Sequence, residues 1–392
     1  MLSGVNVAVG VTGSIAAVKV VEFVHELRRR GACVRAVMTE SAQGIIHPWA
    51  VEFATENPVV TEITGTVPHV ELCGRDGWAD VFVVAPATAN TVGKIAAAVD
   101  DSPVTTCVTT AVGADVPVVV VPAMHEPMYD HPGVRDAIDR VSSWGVSVVD
   151  PRIEEGKAKL PRESTIVHET ARAAGEQPLA GTHVVVTSGA TSEAIDPVRV
   201  LTNRASGRTG RAVAAACYVR GARVTLVHDA SDGGAAPYAD VRDVSSAAEM
   251  TAATLAACAD ADALVSAAAI SDYTVEAADE KLRSGREDVA LSLEPTRKLV
   301  GAVRDDNPDL PIVGFKAETP ADDGTAGDDS MVAAARSLLQ RDGLAFVVAN
   351  DAGVMGNDET RALFVTADSV SEYAGHKRGL GARIAERLAV FA

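Results

Sequence analysis

The sequence predicts an α/β protein of two domains, each a mostly parallel sheet flanked by helices. Three observations carry this. The 392-residue chain is long enough for two ordinary domains. Short, near-continuous apolar runs, which suit strands covered on both faces, recur along it. One helix-to-strand corner occurs twice, as Gly31-Ala-Cys-Val34 and Gly221-Ala-Arg-Val224.

In the first half, the β-branched run 5–9 leads into Gly10-Val-Thr-Gly13-Ser14. Ile15, Val18, Val21, Val24 and Leu27 then recur at helical spacing, with Lys19, Glu22 and Glu26 between them. Arg28-Arg29-Arg30 complements the negative helix end, and Gly31 stops the helix. Further strands are expected at 34–38, 81–85, 116–121 and 146–149. In the second half a strand at 183–187 leads into Ser188-Gly189-Ala190-Thr191, and a helix follows over 207–220. Strands are expected up to His228, then at 263–267, 312–315, 345–349 and 363–366. The stretch 171–181 reads as the linker, which gives domains over 1–175 and 181–392. The Asp- and Gly-rich stretch 321–329 reads as a loop.

Composition narrows the function. The 53 acidic residues against 35 basic give a net charge of −18, which repels a nucleic-acid backbone. Eight of the basic residues are Lys, so 27 of the 35 are Arg. Few Lys with much Asp and Ala resembles a halophile's protein, whose acidic surface stays solvated in high salt. Apolar residues make 47% of the chain but aromatics only 4%, so the core is built from Ala, Val and Leu. Five cysteines with no C-x-x-C pair argue against a disulfide scaffold or zinc ribbon. No apolar run approaches the ~20 residues of a membrane span, and the N-terminus lacks the charge order of a signal peptide. A soluble, cytoplasmic protein is expected.

A Gly-rich turn between strand and helix offers backbone N–H groups to phosphate, and Gly10-Val-Thr-Gly13-Ser14-Ile15-Ala16 fits that pattern. Thr39, the run Pro86–Thr91 and the run Pro122–Met128 each follow a strand, so these loops converge on one rim. With His69-Val-Glu-Leu72 and Trp78-Ala-Asp80, this first half resembles the phosphopantothenoylcysteine decarboxylase flavoproteins. The resemblance implies a flavodoxin-like domain binding FMN through Gly13, Ser14, Ile15, Thr39, Thr88, Asn90 and Thr91. It implies that His69 transfers protons while a thiol is oxidised to a thioaldehyde, which lets the neighbouring carboxylate leave. His125 stands where relatives carry an Asn that meets the substrate carboxylate. No cysteine lies in 151–161, where the family has a flap cysteine, and Lys157 and Lys159 are the candidate donors there.

The second half resembles phosphopantothenate–cysteine ligase. The matching residues are Thr187-Ser-Gly-Ala-Thr191, Ile195-Asp-Pro-Val-Arg199, Thr202-Asn203-Arg-Ala-Ser-Gly207, Ala267-Ala-Ala-Ile-Ser-Asp272-Tyr273, Lys281, Val313-Gly-Phe-Lys-Ala-Glu318 and Val348-Ala-Asn-Asp351. The resemblance implies a Rossmann-like domain that activates a carboxylate with CTP and Mg²⁺ as an acyl-cytidylate. It places the nucleotide on Gly189, Thr191, Ser206, Gly207, Ala269, Asp272, Lys281, Thr296, Arg297, Lys298, Leu299 and Phe315, with Asn203 at the acyl-cytidylate. Arg336 or Arg341 would stand in for lysines that relatives use on the phosphates. The two patterns together imply a bifunctional enzyme of coenzyme A biosynthesis that forms homo-oligomers, with a dodecamer as the assembly the resemblance suggests. A half-active, flavin-binding relative is the alternative. A two-domain dehydrogenase is disfavoured because neither half shows G-x-G-x-x-G with its downstream acid.

Overall fold

A computed structural model describes residues 1–229, 236–283, 289–318, 327–351 and 358–391. The chain divides into two units, Met1–Glu176 and Gln177–Ala392. The expected linker starts too early, because the helix Glu163–Ala174 continues through its first residues and buries Ala171.

The first unit contains β1 (Asn6–Val11), β2 (Cys33–Met38), β3 (Val81–Ala87), β4 (Val118–Pro122), β5 (Met124–His125), β6 (Ser147–Val148), β7 (Arg152–Glu154) and β8 (Lys157–Lys159). Five strands form a parallel sheet in the order β2-β1-β3-β4-β6. β3 and β4 are buried along their whole length, as runs of Val covered on both faces should be. Helices Pro68–Cys73, Ala89–Ala96 and Pro103–Gly113 bury Leu72, Ile95, Val104 and Cys107 against Phe82, Val84 and Val120. Chain order reverses between β1 and β3, the place where such sheets hold ligands. β5, β8 and β7 make a separate antiparallel flap, turned at Glu155-Gly156 with both residues at positive φ.

The first helix departs from expectation. Residues Ile15–Lys19 form a tighter 3₁₀ turn, and the α-helix begins only at Val20. Its buried stripe is Val20, Phe23, Val24 and Leu27, while Ile15 is 79% exposed and Val18 is also exposed. The change of pitch rotates the first two apolar residues off the core face.

The second unit contains β9 (His183–Ser188), β10 (Ser192–Ala194), β11 (Val200–Thr202), β12 (Arg223–Asp229), β13 (Asp240–Val244), β14 (Ala263–Ser266), β15 (Tyr273–Val275), β16 (Leu293–Pro295), β17 (Ile312–Glu318), β18 (Phe346–Asp351), β19 (Glu359–Val365) and β20 (Val370–His376). Eight form one sheet in the order β13-β12-β9-β14-β17-β18-β19-β20, parallel except for the last two pairings. Here the chain reverses between β9 and β14. β13 and β20, the edge strands, do not read as apolar runs because an edge strand keeps one side in water. Of the loop expected at 321–329, residues 321–326 lie outside the described residues, and Asp328 already opens the helix Asp328–Asp342. Among the described residues, no helix is long and apolar enough to cross a membrane.

Candidate active sites

In the first unit the carboxyl ends of β1, β3 and β4 and the flap enclose a cavity of about 630 Å³. Gly13, Ser14, Ile15, Thr88, His125, Arg152, Lys157 and Lys159 line it, and no Asp or Glu does. Thr12 ties the two central loops: its hydroxyl donates to the Pro86 carbonyl (2.7 Å) and accepts from the Thr88 N–H (3.2 Å). Ser14 caps the 3₁₀ turn and donates to the Ala123 carbonyl at 3.2 Å. Gly13 has no room for a side chain, since a Cβ there would lie 2.4 Å from Ser41 Oγ. The result is a tight strand-to-helix turn beside apolar Ile15 and Val18, suited to a phosphate and a flat apolar body.

Not every residue expected here reaches the cavity. Thr39 is buried as the N-cap of Glu40–Gln43, accepting from Ala42 N at 3.2 Å. It is Ser41 that touches Gly13, and the sequence carried no signal for it beyond its place after Thr39. Thr91 is buried, with its hydroxyl 2.9 Å from that of Thr88, the N-cap of Ala89–Ala96. Asn90 is exposed and outside the lining. His69 sits on Pro68–Cys73, away from the cavity walls of its own chain, with Nδ1 buried and without a hydrogen-bond partner among the described residues. His125 lies opposite Lys157 in the β5–β8 register, and both face the cavity. Lys159 is held by Glu155 (2.7 Å) and Glu154 (3.5 Å), and the Glu155 hydrogen bond pushes its pKa up. None of the five free thiols lines the cavity.

In the second unit the loops after β9 and β14 are joined by the same device. Thr187 Oγ1 accepts from Ala267 N (3.1 Å) and Ala268 N (3.2 Å). Ala269 N donates to Gly189 O at 2.9 Å, and Thr191 N to Ala269 O at 3.2 Å. Asn203 Nδ2 donates to Ala269 O at 3.1 Å, and Thr191 Oγ1 accepts from Ser271 N at 2.8 Å. Gly207, at φ +68°, starts the helix Arg208–Val219, and its carbonyl accepts from Ser188 Oγ at 2.8 Å. Gly189, Thr191, Asn203, Ser206, Gly207 and Ala269 therefore gather at one rim, around the N-terminus of that helix.

Asp272 pairs with Lys298, and Thr296 anchors the same loop by donating to Ser271 O (2.6 Å) and Asp272 O (3.0 Å). Thr296 and Arg297 line a second cavity of about 380 Å³ with Glu193, Thr251 and Thr274. Lys281 is exposed on a coil. Phe315 is half-buried against the core. Two side chains are turned elsewhere. Leu299 is 3% exposed and packs into the core, because it begins the helix Leu299–Asp306 on its inner face. Arg341 pairs with Asp342 at the end of a helix that runs down to the amino ends of the strands, opposite the loop rim, and Arg336 is exposed mid-helix. Among the described residues, Arg208, paired with Asp358 at 3.0 Å, and Arg211, which donates to Ser206 O at 3.0 Å and lies 3.0 Å from His228 Nε2, stand beside the glycines.

Sequence comparison agrees with this two-part organisation. Residues 1–175 match the family model described as Flavoprotein, and residues 179–391 match the DNA/pantothenate metabolism flavoprotein C-terminal domain. The chain is 44% identical over 371 residues to the coenzyme A biosynthesis bifunctional protein CoaBC of Thermococcus kodakarensis, covering 94% of this chain and 90% of the relative. Proteins of the same name are 32% identical in Methanocaldococcus jannaschii (99% and 94% covered) and 33% identical in Bacillus subtilis (97% and 93% covered). The chain belongs to the family of bifunctional coenzyme A biosynthesis proteins, with a flavoprotein domain followed by a pantothenate-metabolism domain.

Proposed function

We propose that the second unit ligates cysteine to 4′-phosphopantothenate at the expense of CTP, through an acyl-cytidylate, and that the first decarboxylates the product to 4′-phosphopantetheine with FMN. The observation that carries this is one chain holding two ligand rims, each at the reversal point of its sheet, with family similarity running through both halves.

The ligase half needs donors for phosphate oxygens that gain charge as the carboxylate attacks. The Gly189 and Gly207 turns, the helix N-terminus behind Gly207, Ser206, and the charges of Arg208, Arg211 and Lys281 supply them. The side-chain amide of Asn203, oriented by Ala269, faces the activated carbonyl. Asp272 and Thr296 bound the base pocket, with Arg297, Lys298 and Phe315 around it. Among the described residues no group of three or more His, Cys, Asp or Glu stands ready for a metal.

The first unit's cavity fits FMN: the Gly13–Ser14 turn for its phosphate, Ile15 and Thr88 beside its ring system, and a cation-lined wall for an anionic substrate. When bound, FMN supplies the reversible two-electron oxidation that makes the thiol-bearing carbon an electron sink. His125 and Lys157 hold the substrate carboxylate, and the flap excludes water. His69 moves the proton, and because it stands off its own chain's cavity we assign it to the site of a second copy. Trp49 and Phe53, both 77% exposed on one face of the helix Pro48–Thr55, support such a homo-oligomer. Five free thiols suit a cytoplasmic setting.

Mass spectrometry of products from 4′-phosphopantothenate, cysteine and CTP tests both halves. 4′-Phosphopantetheine is expected from the wild type, and 4′-phosphopantothenoylcysteine alone from His69→Asn. Absence of both products from the wild type would refute the reading.

A further inference from the structure

We propose that Asp196 is a positioning residue of the ligase reaction: its buried carboxylate clasps the coil that carries Lys281 onto the turn Ile195–Arg199, and so holds that lysine at the nucleotide phosphates. The inference rests on the reading of Lys281 given above.

Residues 278–283 form no helix or strand. Such a coil presents a lysine in one place only if something fixes its backbone. Among the described residues three hydrogen bonds join it to the rest of the domain, and all go to one five-residue turn. Ala278 N donates to Ile195 O at 2.9 Å. Leu282 N donates to Asp196 Oδ2 at 3.1 Å, and Arg199 Nη2 donates to Leu282 O at 2.9 Å. Leu282, the neighbour of Lys281, is thus gripped by both its N–H and its C=O.

Asp196 organises both grips. Its side chain is 0% exposed. Oδ1 accepts from the backbone of Val198 and Arg199, both at 2.8 Å, which closes the turn. Oδ2 accepts from Leu282 N and from Arg199 Nη1 (2.7 Å), which aims the guanidinium's other arm at Leu282 O. One oxygen builds the turn and the other builds the clasp. Asn is therefore the discriminating substitution. Its Oδ1 preserves the turn, while its NH₂ faces two donors, Leu282 N–H and the guanidinium, and opens the clasp.

The test is pyrophosphate release by the full chain in Asp196→Asn, Lys281→Gln and the double variant. Each single variant is expected to raise KM for CTP by roughly tenfold or more, with KM for cysteine unchanged. The double is expected to be no worse than the poorer single, because the clasp acts through Lys281. Amide exchange at Leu282 should quicken in Asp196→Asn and not in Lys281→Gln. CO₂ release from supplied 4′-phosphopantothenoylcysteine should not change. Should Asp196→Asn fail to fold, Arg199→Met at the more exposed end of the clasp must give the same KM pattern. A raised KM in Lys281→Gln with none in Asp196→Asn, or fully additive effects, overturns the clasp alone. An unchanged KM in Lys281→Gln overturns the reading of that lysine, and the clasp's purpose with it.

Discussion

The side-chain amide of Asn203 donates to the carbonyl of Ala269, 66 residues further along the chain, at 3.1 Å. The bond fixes the Asn203 plane at the rim between β9 and β14, where Ala269 also meets Gly189 and Thr191. Asn203→Asp sets a carboxylate against that carbonyl, so the side chain must swing away. Amide formation by the ligase half is expected to fall by roughly two orders of magnitude. Unaltered CO₂ release from supplied 4′-phosphopantothenoylcysteine would show that the loss is local. Ligation at the wild-type rate would rule the residue out of the reaction.

Gly207, at the same rim, has no room for a side chain. A Cβ there would lie 2.9 Å from His228 Cε1 and 3.0 Å from both Gly189 N and Ser188 Oγ, at a φ of +68° that disfavours side chains. Gly207→Ala is expected to cost about 1–3 kcal/mol and to weaken CTP binding. Denaturant unfolding and nucleotide titration of the variant measure the two effects.

His168 makes the first unit acid-sensitive. Burial, then the charge of Arg30, lower its pKa to about 4 from an ordinary 6.5, so the folded state holds it neutral. The unfolded chain takes up a proton below pH 6.5 and the folded chain does not. The stabilising difference is full above pH 6.5 and drains away as pH falls toward 4, by roughly 3 kcal/mol in all. His168→Gln should flatten that part of the stability profile. An equally steep loss in the variant would place the sensitivity elsewhere.

Lys157 and Lys159 lie two residues apart on one strand of the flap, yet they should differ in weight. Glu154 and Glu155 already engage Lys159, whereas the side chain of Lys157 makes no salt bridge or hydrogen bond among the described residues. Lys157→Met is expected to lower kcat/KM for CO₂ release about tenfold or more, the worth of a charge-assisted bond to an anion, and Lys159→Met by much less. Equal effects would refute the ranking.

Much of this was legible in sequence because it is local. A Val run such as 81–84 on β3 must be covered on both faces, and the glycines at 13, 189 and 207 mark turns that no side chain fits. Those features set two doubly wound sheets and the loops that serve as rims. The edge strands β13 and β20 escaped notice because a strand with one wet side has no apolar signature.

What sequence left open was decided by contacts between distant residues. Helical spacing alone put Ile15 in the core, and the 3₁₀ turn turned it out to line a cavity. Family resemblance put Thr39 and Leu299 among the ligand residues, but the side chain of one caps a helix and that of the other packs in the core. His69 bears the right chemistry, and its placement now hangs on a second copy of the chain. Asp196 looked like part of a turn until the fold brought Leu282, 86 residues away, within 3.1 Å of its carboxylate. Residue type and spacing fix which chemistry a segment can offer; only the packed chain determines which side chains meet, because that depends on surfaces far apart in sequence.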